Sequence, residues 1–108
     1  MTEIVLVLTT VPTAELGELI AQTLVAERLA ACVTILPAMT SFYRWQEQVE
    51  RATEYQLTIK TMRDRVDVVE ARIRTLHSYE LPELLVIAAD DGSEAYLAWV
   101  MAGTRAQD

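Results

Sequence analysis

The 108 residues include one cysteine, one histidine, three glycines and three prolines, and each shortage closes off a class of protein. A single cysteine, Cys32, cannot form a disulfide within the chain and leaves no thiol pair at metal-binding or redox spacing. That composition suits a reducing compartment. The three glycines, Gly17, Gly92 and Gly103, are too scattered to build a phosphate-cradling loop. The chain also lacks a nucleophile elbow, paired metal-binding histidines and a cysteine–histidine couple supported by local sequence. An enzyme is not expected. Basic residues are scarce as well: nine Lys and Arg stand against sixteen Asp and Glu, for a formal net charge of −7. Such a field repels phosphate backbones and anionic lipid, so neither nucleic acid nor membrane is an expected partner. No apolar run approaches the ~20 residues that span a bilayer. Met1 leads straight into a strand pattern without the basic flank and cleavage site of a secretory leader, and a cytoplasmic location is expected.

What the chain does have is apolar side chain, 52% of residues, enough to fill one core at a length that holds one domain. A single domain over residues 1–108 is expected, with its core at about residues 4–102 and a polar tail at 103–108. Residues 4–8 form a continuous apolar run that reads as a strand, ending at Thr9-Thr10-Val11-Pro12. Thr13 caps a helix carrying Leu16, Leu19, Ile20 and Leu24 at helical spacing. A second strand over residues 31–36 breaks at Pro37, which marks a bulge or bend, and resumes with Met39, Ser41, Tyr43 and Trp45 on one face. The third strand alternates Val49, Arg51, Thr53, Tyr55, Leu57 and Ile59 against polar residues, and a tight connection near Glu47-Gln48 joins it to the second. From Asp64 the period becomes helical, with Val66, Val69, Ile73 and Leu76 in a stripe and Glu70 one turn from Arg74. Residues 84–89 form another continuous apolar strand, and Ser93 caps a short helix with Tyr96, Leu97, Val100 and Met101.

The order strand, helix, strand, strand, helix, strand with a helical appendage gives an α+β fold, a ferredoxin-like βαββαβ sandwich with two helices on one face of a four-stranded antiparallel sheet. A strand from residue 49 to 62 at about 3.4 Å per residue is on the order of 45 Å long, against a radius of gyration near 13 Å for a compact domain of ~100 residues. The hairpin therefore projects past its own core. It carries Phe42, Tyr43, Trp45 and Tyr55, which need cover. The first and last strands are apolar on both faces, while two helices cover only one. A symmetric oligomer is expected.

Five segments in register then become recognisable: Glu27-Arg28-Leu29-Ala30-Ala31-Cys32-Val33, Ser41-Phe42-Tyr43-Arg44-Trp45, Lys60-Thr61, His77-Ser78-Tyr79-Glu80-Leu81-Pro82-Glu83 and Tyr96-Leu97-Ala98-Trp99. Together they resemble the CutA divalent-cation tolerance family, over nearly the whole chain. The resemblance implies a trimer similar in architecture to the PII signalling proteins, a cytoplasmic location, and a role in tolerance of copper and other divalent metals. No resident cofactor is required, and copper or another divalent cation is a possible ligand. The alternatives are PII-like sensing of a small ligand, or a scaffold trimer with no direct metal role. Two positions depart from the family pattern: Ser78 stands where a proline is usual, and Glu47 where a glycine is.

Candidate site residues follow. Cys32 offers a thiolate for a soft metal, or is a small buried hydrophobe among Ala30, Ala31 and Val33. His77 is the sole imidazole and the second metal candidate. The topology puts it at the opposite end of the sheet from Cys32, so the two do not share an ion within one protomer. The end that receives His77 also receives Tyr79, Glu80 and Glu83, close to Trp45 of this or a neighbouring copy. That gathering of imidazole, carboxylates and aromatic walls is the candidate cleft, although these residues could equally knit a trimer together. Lys60, with Arg63, is a further ligand-binding candidate at the other end.

Overall fold

Strict alternation from the hairpin onward builds the longest strand of the molecule, and every other strand is ordered around it. The computed structural model describes residues 2–105. The elements are β1 (Ile4–Val11), α1 (Ala14–Ala26), β2 (Cys32–Ile35), β3 (Met39–Trp45), β4 (Gln48–Met62), α2 (Val66–Leu76), β5 (Leu85–Ala88) and α3 (Glu94–Gly103). The antiparallel sheet has the order β2-β4-β1-β5, with β3 also on β4. This is the α+β, ferredoxin-like arrangement expected from the sequence. The break at Pro37 splits the expected second strand in two, which is why five strands appear rather than four.

Val5, Val7 and Val11 of β1 and Leu57 and Ile59 of β4 point to one side, where Ile20 and Leu24 of α1 and Val69 and Ile73 of α2 meet them, all at most 1% exposed. Each such side chain contributes roughly 1.5–3 kcal/mol on burial. Thr13 caps α1 through its Oγ1, which accepts from the Leu16 N–H at 3.1 Å. Gly17 lets the helix lie close to the sheet: a Cβ there would sit 3.3 Å from Val11 Cγ2 and 3.4 Å from Leu57 Cδ1. A second cluster, Ile4, Met62 and Val100, anchors α3 with Leu97 and Ala31.

Several boundaries differ from the sequence reading. β1 continues through Thr9 and Thr10 to Val11, because Thr10 pairs with Gln56 and Val11 with Tyr55. The helix expected from Asp64 opens with a 3₁₀ turn, Arg63–Arg65, before α2 proper. The hairpin turns one residue earlier than expected, at Gln46 and Glu47 between the paired Trp45 and Gln48. The supposed polar tail is partly built in: Gly103 is helical, and Thr104 is fully buried with its carbonyl accepting from Arg65 Nε at 2.9 Å and Nη2 at 2.7 Å. Residues 106–108 lie outside the described residues. Glu70 and Arg74 do pair across one helical turn, at 3.1 Å. No helix among the described residues is long and apolar enough to cross a membrane.

The bulge positions the site. Ile35 pairs with Leu57 and Met39 with Glu54, so three residues, 36–38, stand against two, 55 and 56. One extra residue shifts the side-chain phase. Val33 and Ile35 therefore share the helix-covered face with Ile59 and Leu57, whereas Met39, Tyr43 and Trp45 share the opposite, open face with Glu54.

Candidate functional site

A cleft of about 870 Å³ lies on that open face. Its floor is β4 and β3, contributing Glu54, Gln56, Met39, Ser41, Tyr43 and Trp45. Its far wall is the segment after α2, residues 78–85. That segment is irregular, since Pro82 cannot continue a helix or donate to a ladder. His77 fixes its path. The ring Nε2 lies 2.7 Å from the Thr10 carbonyl, and Nδ1 accepts from the Tyr79 N–H at 3.0 Å. A carbonyl only accepts, so Nε2 carries the hydrogen and Nδ1 the lone pair. The imidazole therefore ties the chain leaving α2 to the end of β1. The Tyr79 ring lies 4.7 Å from that of His77, centroid to centroid.

Tyr79 reaches across the cleft and donates its hydroxyl hydrogen to Glu54 Oε2 at 2.7 Å. Glu54 is only 7% exposed. Desolvation first, then the hydrogen bond to Glu54 and the charges of Glu54 and Tyr43, push the Tyr79 phenol well above its ordinary value, so it remains a donor. Glu83 lines the same cleft. Partial desolvation, and after it the charge of Glu54, hold its carboxyl above the ordinary carboxylate range. Glu80 also lines the cleft, exposed, and Trp45 closes one wall at 37% exposure.

Four of the sequence-derived cleft residues, Trp45, Tyr79, Glu80 and Glu83, are thus brought together, with His77 directly behind them. Lys60 is not among them. It sits opposite Cys32 and Leu6 in the sheet, with its ammonium 5.8 Å from the centre of the Tyr96 ring. Cys32 is half-buried. It pairs with Lys60, four residues along β4 from Gln56, the partner of Thr10, or roughly 13 Å at strand rise. Within a protomer it is remote from His77, as the topology implied. The residue that sequence reasoning missed is Glu54. The signal was available only in combination: a carboxylate on β4 that falls opposite Met39 once the bulge at Pro37 is counted.

These residues do not fit a tightly held metal within one protomer. Both His77 ring nitrogens are engaged by backbone groups. Among the described residues no three His, Cys, Asp or Glu side chains come together at metal-binding distance.

Fold and cleft define a class: a ferredoxin-like α+β domain with a ligand-sized, acidic and aromatic cleft on its open sheet face. The family model of the CutA1 divalent ion tolerance protein matches residues 5–103. The divalent-cation tolerance protein CutA of Thermus thermophilus is 41% identical over 104 residues, covering 96% of this chain and 99% of that protein. The crystal structure of CutA from Xylella fastidiosa superposes with a TM-score of 0.94 at 39% identity, over 96% of this chain and 100% of the other. The chloroplastic CutA protein of Arabidopsis thaliana is 36% identical over 94% of this chain and 56% of its own length. The chain belongs to the CutA1 divalent ion tolerance family, which consists of tolerance proteins and not enzymes.

Proposed function

We propose that the protein works as a homotrimer in the response to divalent cations, with the open-face cleft, completed by a neighbouring copy, as its working site. The observation that carries this reading is apolar surface that the chain's own helices leave bare. All four residues of β5 are exposed, Leu85 at 58% and Ile87 at 47%, and the hairpin presents Phe42 at 68% and Val49 at 65%. The molecule is 48 Å long and only 27 Å and 23 Å across, so its own core does not reach the hairpin tip. Exposed apolar surface of this kind marks an interface. Divalent ions, copper included, then meet the cleft weakly through the carboxylates of Glu80 and Glu83 rather than through His77 or Cys32. The single thiol supports a reducing compartment such as the cytoplasm.

Light scattering at micromolar concentration tests the assembly. The expected mass is about three times the 12.1 kDa of one chain, and a folded species of one chain's mass rejects the reading. Calorimetric titration with Cu(II) or Zn(II) tests the ion contact, and Glu83→Gln should weaken it. Unchanged binding in that variant would remove the cleft from the metal response.

A second reading, sensing of a small organic ligand by the same cleft, is favoured by size. About 870 Å³ falls within the roughly 300–1,000 Å³ of ligand pockets and far exceeds what an ion needs.

A further inference from the structure

We infer that the cleft binds a small organic cation, an alkylammonium or guanidinium group, seated on the Glu54 carboxylate beside the rings of Tyr43 and Tyr79. The inference rests on the cleft being the working site, and it names the ligand class. Glu54 is more than nine-tenths buried, yet among the described residues only one of its oxygens receives a hydrogen bond, from Tyr79, and no lysine or arginine lines the cleft. The ion pairs among the described residues lie elsewhere, at Arg72–Glu27, Arg74–Glu70 and Arg105–Asp64. A buried carboxylate with no counter-cation is costly, and a bound cation relieves that cost.

The walls select the kind of cation. Aromatic faces attract alkylammonium and guanidinium groups, and they give little to a hydrated divalent ion, whose preferred ligands are oxygen atoms. The flat tyrosine rings match a planar guanidinium, and the free Glu54 oxygen supplies an acceptor for its N–H groups. The net charge of −7 draws cations toward the protein. Divalent ions on Glu80 and Glu83 of the same cleft then compete with it by charge repulsion, which ties this ligand to the proposed role.

Titration of the intact protein with n-butylguanidinium, and with the neutral isostere n-butylurea, tests the inference, with light scattering run on the same samples. The guanidinium should bind in the millimolar range or tighter, about tenfold or more above the urea. Glu54→Gln should cost about tenfold in affinity, and Tyr43→Leu about threefold. The Tyr43 side chain is partly exposed, so that variant keeps the test alive if Glu54→Gln does not fold. Equal affinity for guanidinium and urea, no binding at about 10 mM, or undiminished binding in both variants overturns the inference. Dissociation of the assembly in Glu54→Gln also overturns it, because the cation would then be a side chain of a neighbouring copy. A trimer that fails to bind sinks only the ligand class. A single-chain species that binds supports the ligand class while sinking the assembly, since every residue named belongs to one protomer.

Discussion

Replacing Tyr79 by phenylalanine isolates the bond that spans the cleft. The ring and its contact with His77 at 4.7 Å remain, and only the hydroxyl that donates to Glu54 at 2.7 Å is lost. A hydrogen bond to a charged group contributes about 1.5–3 kcal/mol net, against about 0.5–1.5 kcal/mol for a neutral one. Tyr79→Phe should therefore destabilise the protein by about 1.5–3 kcal/mol in the native background. In a Glu54→Gln background, where the acceptor is an amide oxygen, the same change should cost about 1 kcal/mol less. The assay is urea denaturation of the four proteins of the cycle at one fixed concentration, compared at equal m-value. The pH dependence gives a second reading. Folding raises the Tyr79 pKa above its unfolded value. The stability this group contributes is thus complete below about pH 10, the unfolded phenol value, and falls as pH rises toward the folded one. Tyr79→Phe should flatten the alkaline limb of the stability curve. Equal costs in both backgrounds, together with unchanged alkaline limbs, would refute the account of the cleft as a buried charge held by one donor.

Other expectations are simpler. Thr9 is fully buried with no hydrogen-bond partner for its Oγ1 among the described residues, so Thr9→Val should stabilise by about 1 kcal/mol in chemical denaturation, and a loss would mean that the hydroxyl is satisfied. Gln46 and Glu47 hold φ of 50° and 67° in a two-residue turn. Glu47→Gly relieves about 1–2 kcal/mol of left-handed strain and returns about 0.4–1 kcal/mol to the unfolded chain, so the denaturation midpoint should rise slightly. Gly103→Ala would place a Cβ 3.0 Å from Ala31 Cβ and 3.2 Å from its Cα. Because backbone cannot yield cheaply, a drop of about 1–3 kcal/mol is expected in thermal or chemical unfolding. Glu83 is raised by desolvation and Glu54, so its favourable contribution is complete below about pH 4 and is lost as pH rises through the folded value. Glu83→Gln should match the native protein near pH 4 and exceed its stability near pH 7, and a difference constant with pH would contradict this.

The fold was legible because its signals are local. Alternation defines β4, helical stripes define α1 and α2, and Thr13 and Ser93 mark helix starts that the structure reproduces, each side chain accepting from the N–H three residues on. What went astray needed longer-range information. Thr9 and Thr10 look like the start of a turn, yet β4 is long enough to pair with them and keeps β1 in the sheet. The apolar run at residues 84–89 reads as a strand that needs cover on both faces, which two helices do not supply. In the chain itself β5 is exposed, because composition records that a surface avoids water and not which molecule covers it.

The site was legible in one half only. Tyr79, Glu80 and Glu83 follow one another within a short segment, so adjacency delivers them together, and His77 anchors that segment through two backbone contacts. Their counterpart on β4 is set by phase. Without the extra residue at Pro37, Met39, Tyr43 and Trp45 would fall on the face of Leu57 and Ile59, beneath the helices, and Glu54 would stand alone on the other side. One bulged residue moves the aromatic rings onto the face of the carboxylate. A β-bulge of this sort redirects a whole strand of side chains at the cost of one broken ladder step. Glu54 thus acquires its chemical character from a proline seventeen residues earlier, through a register that neither residue reveals alone.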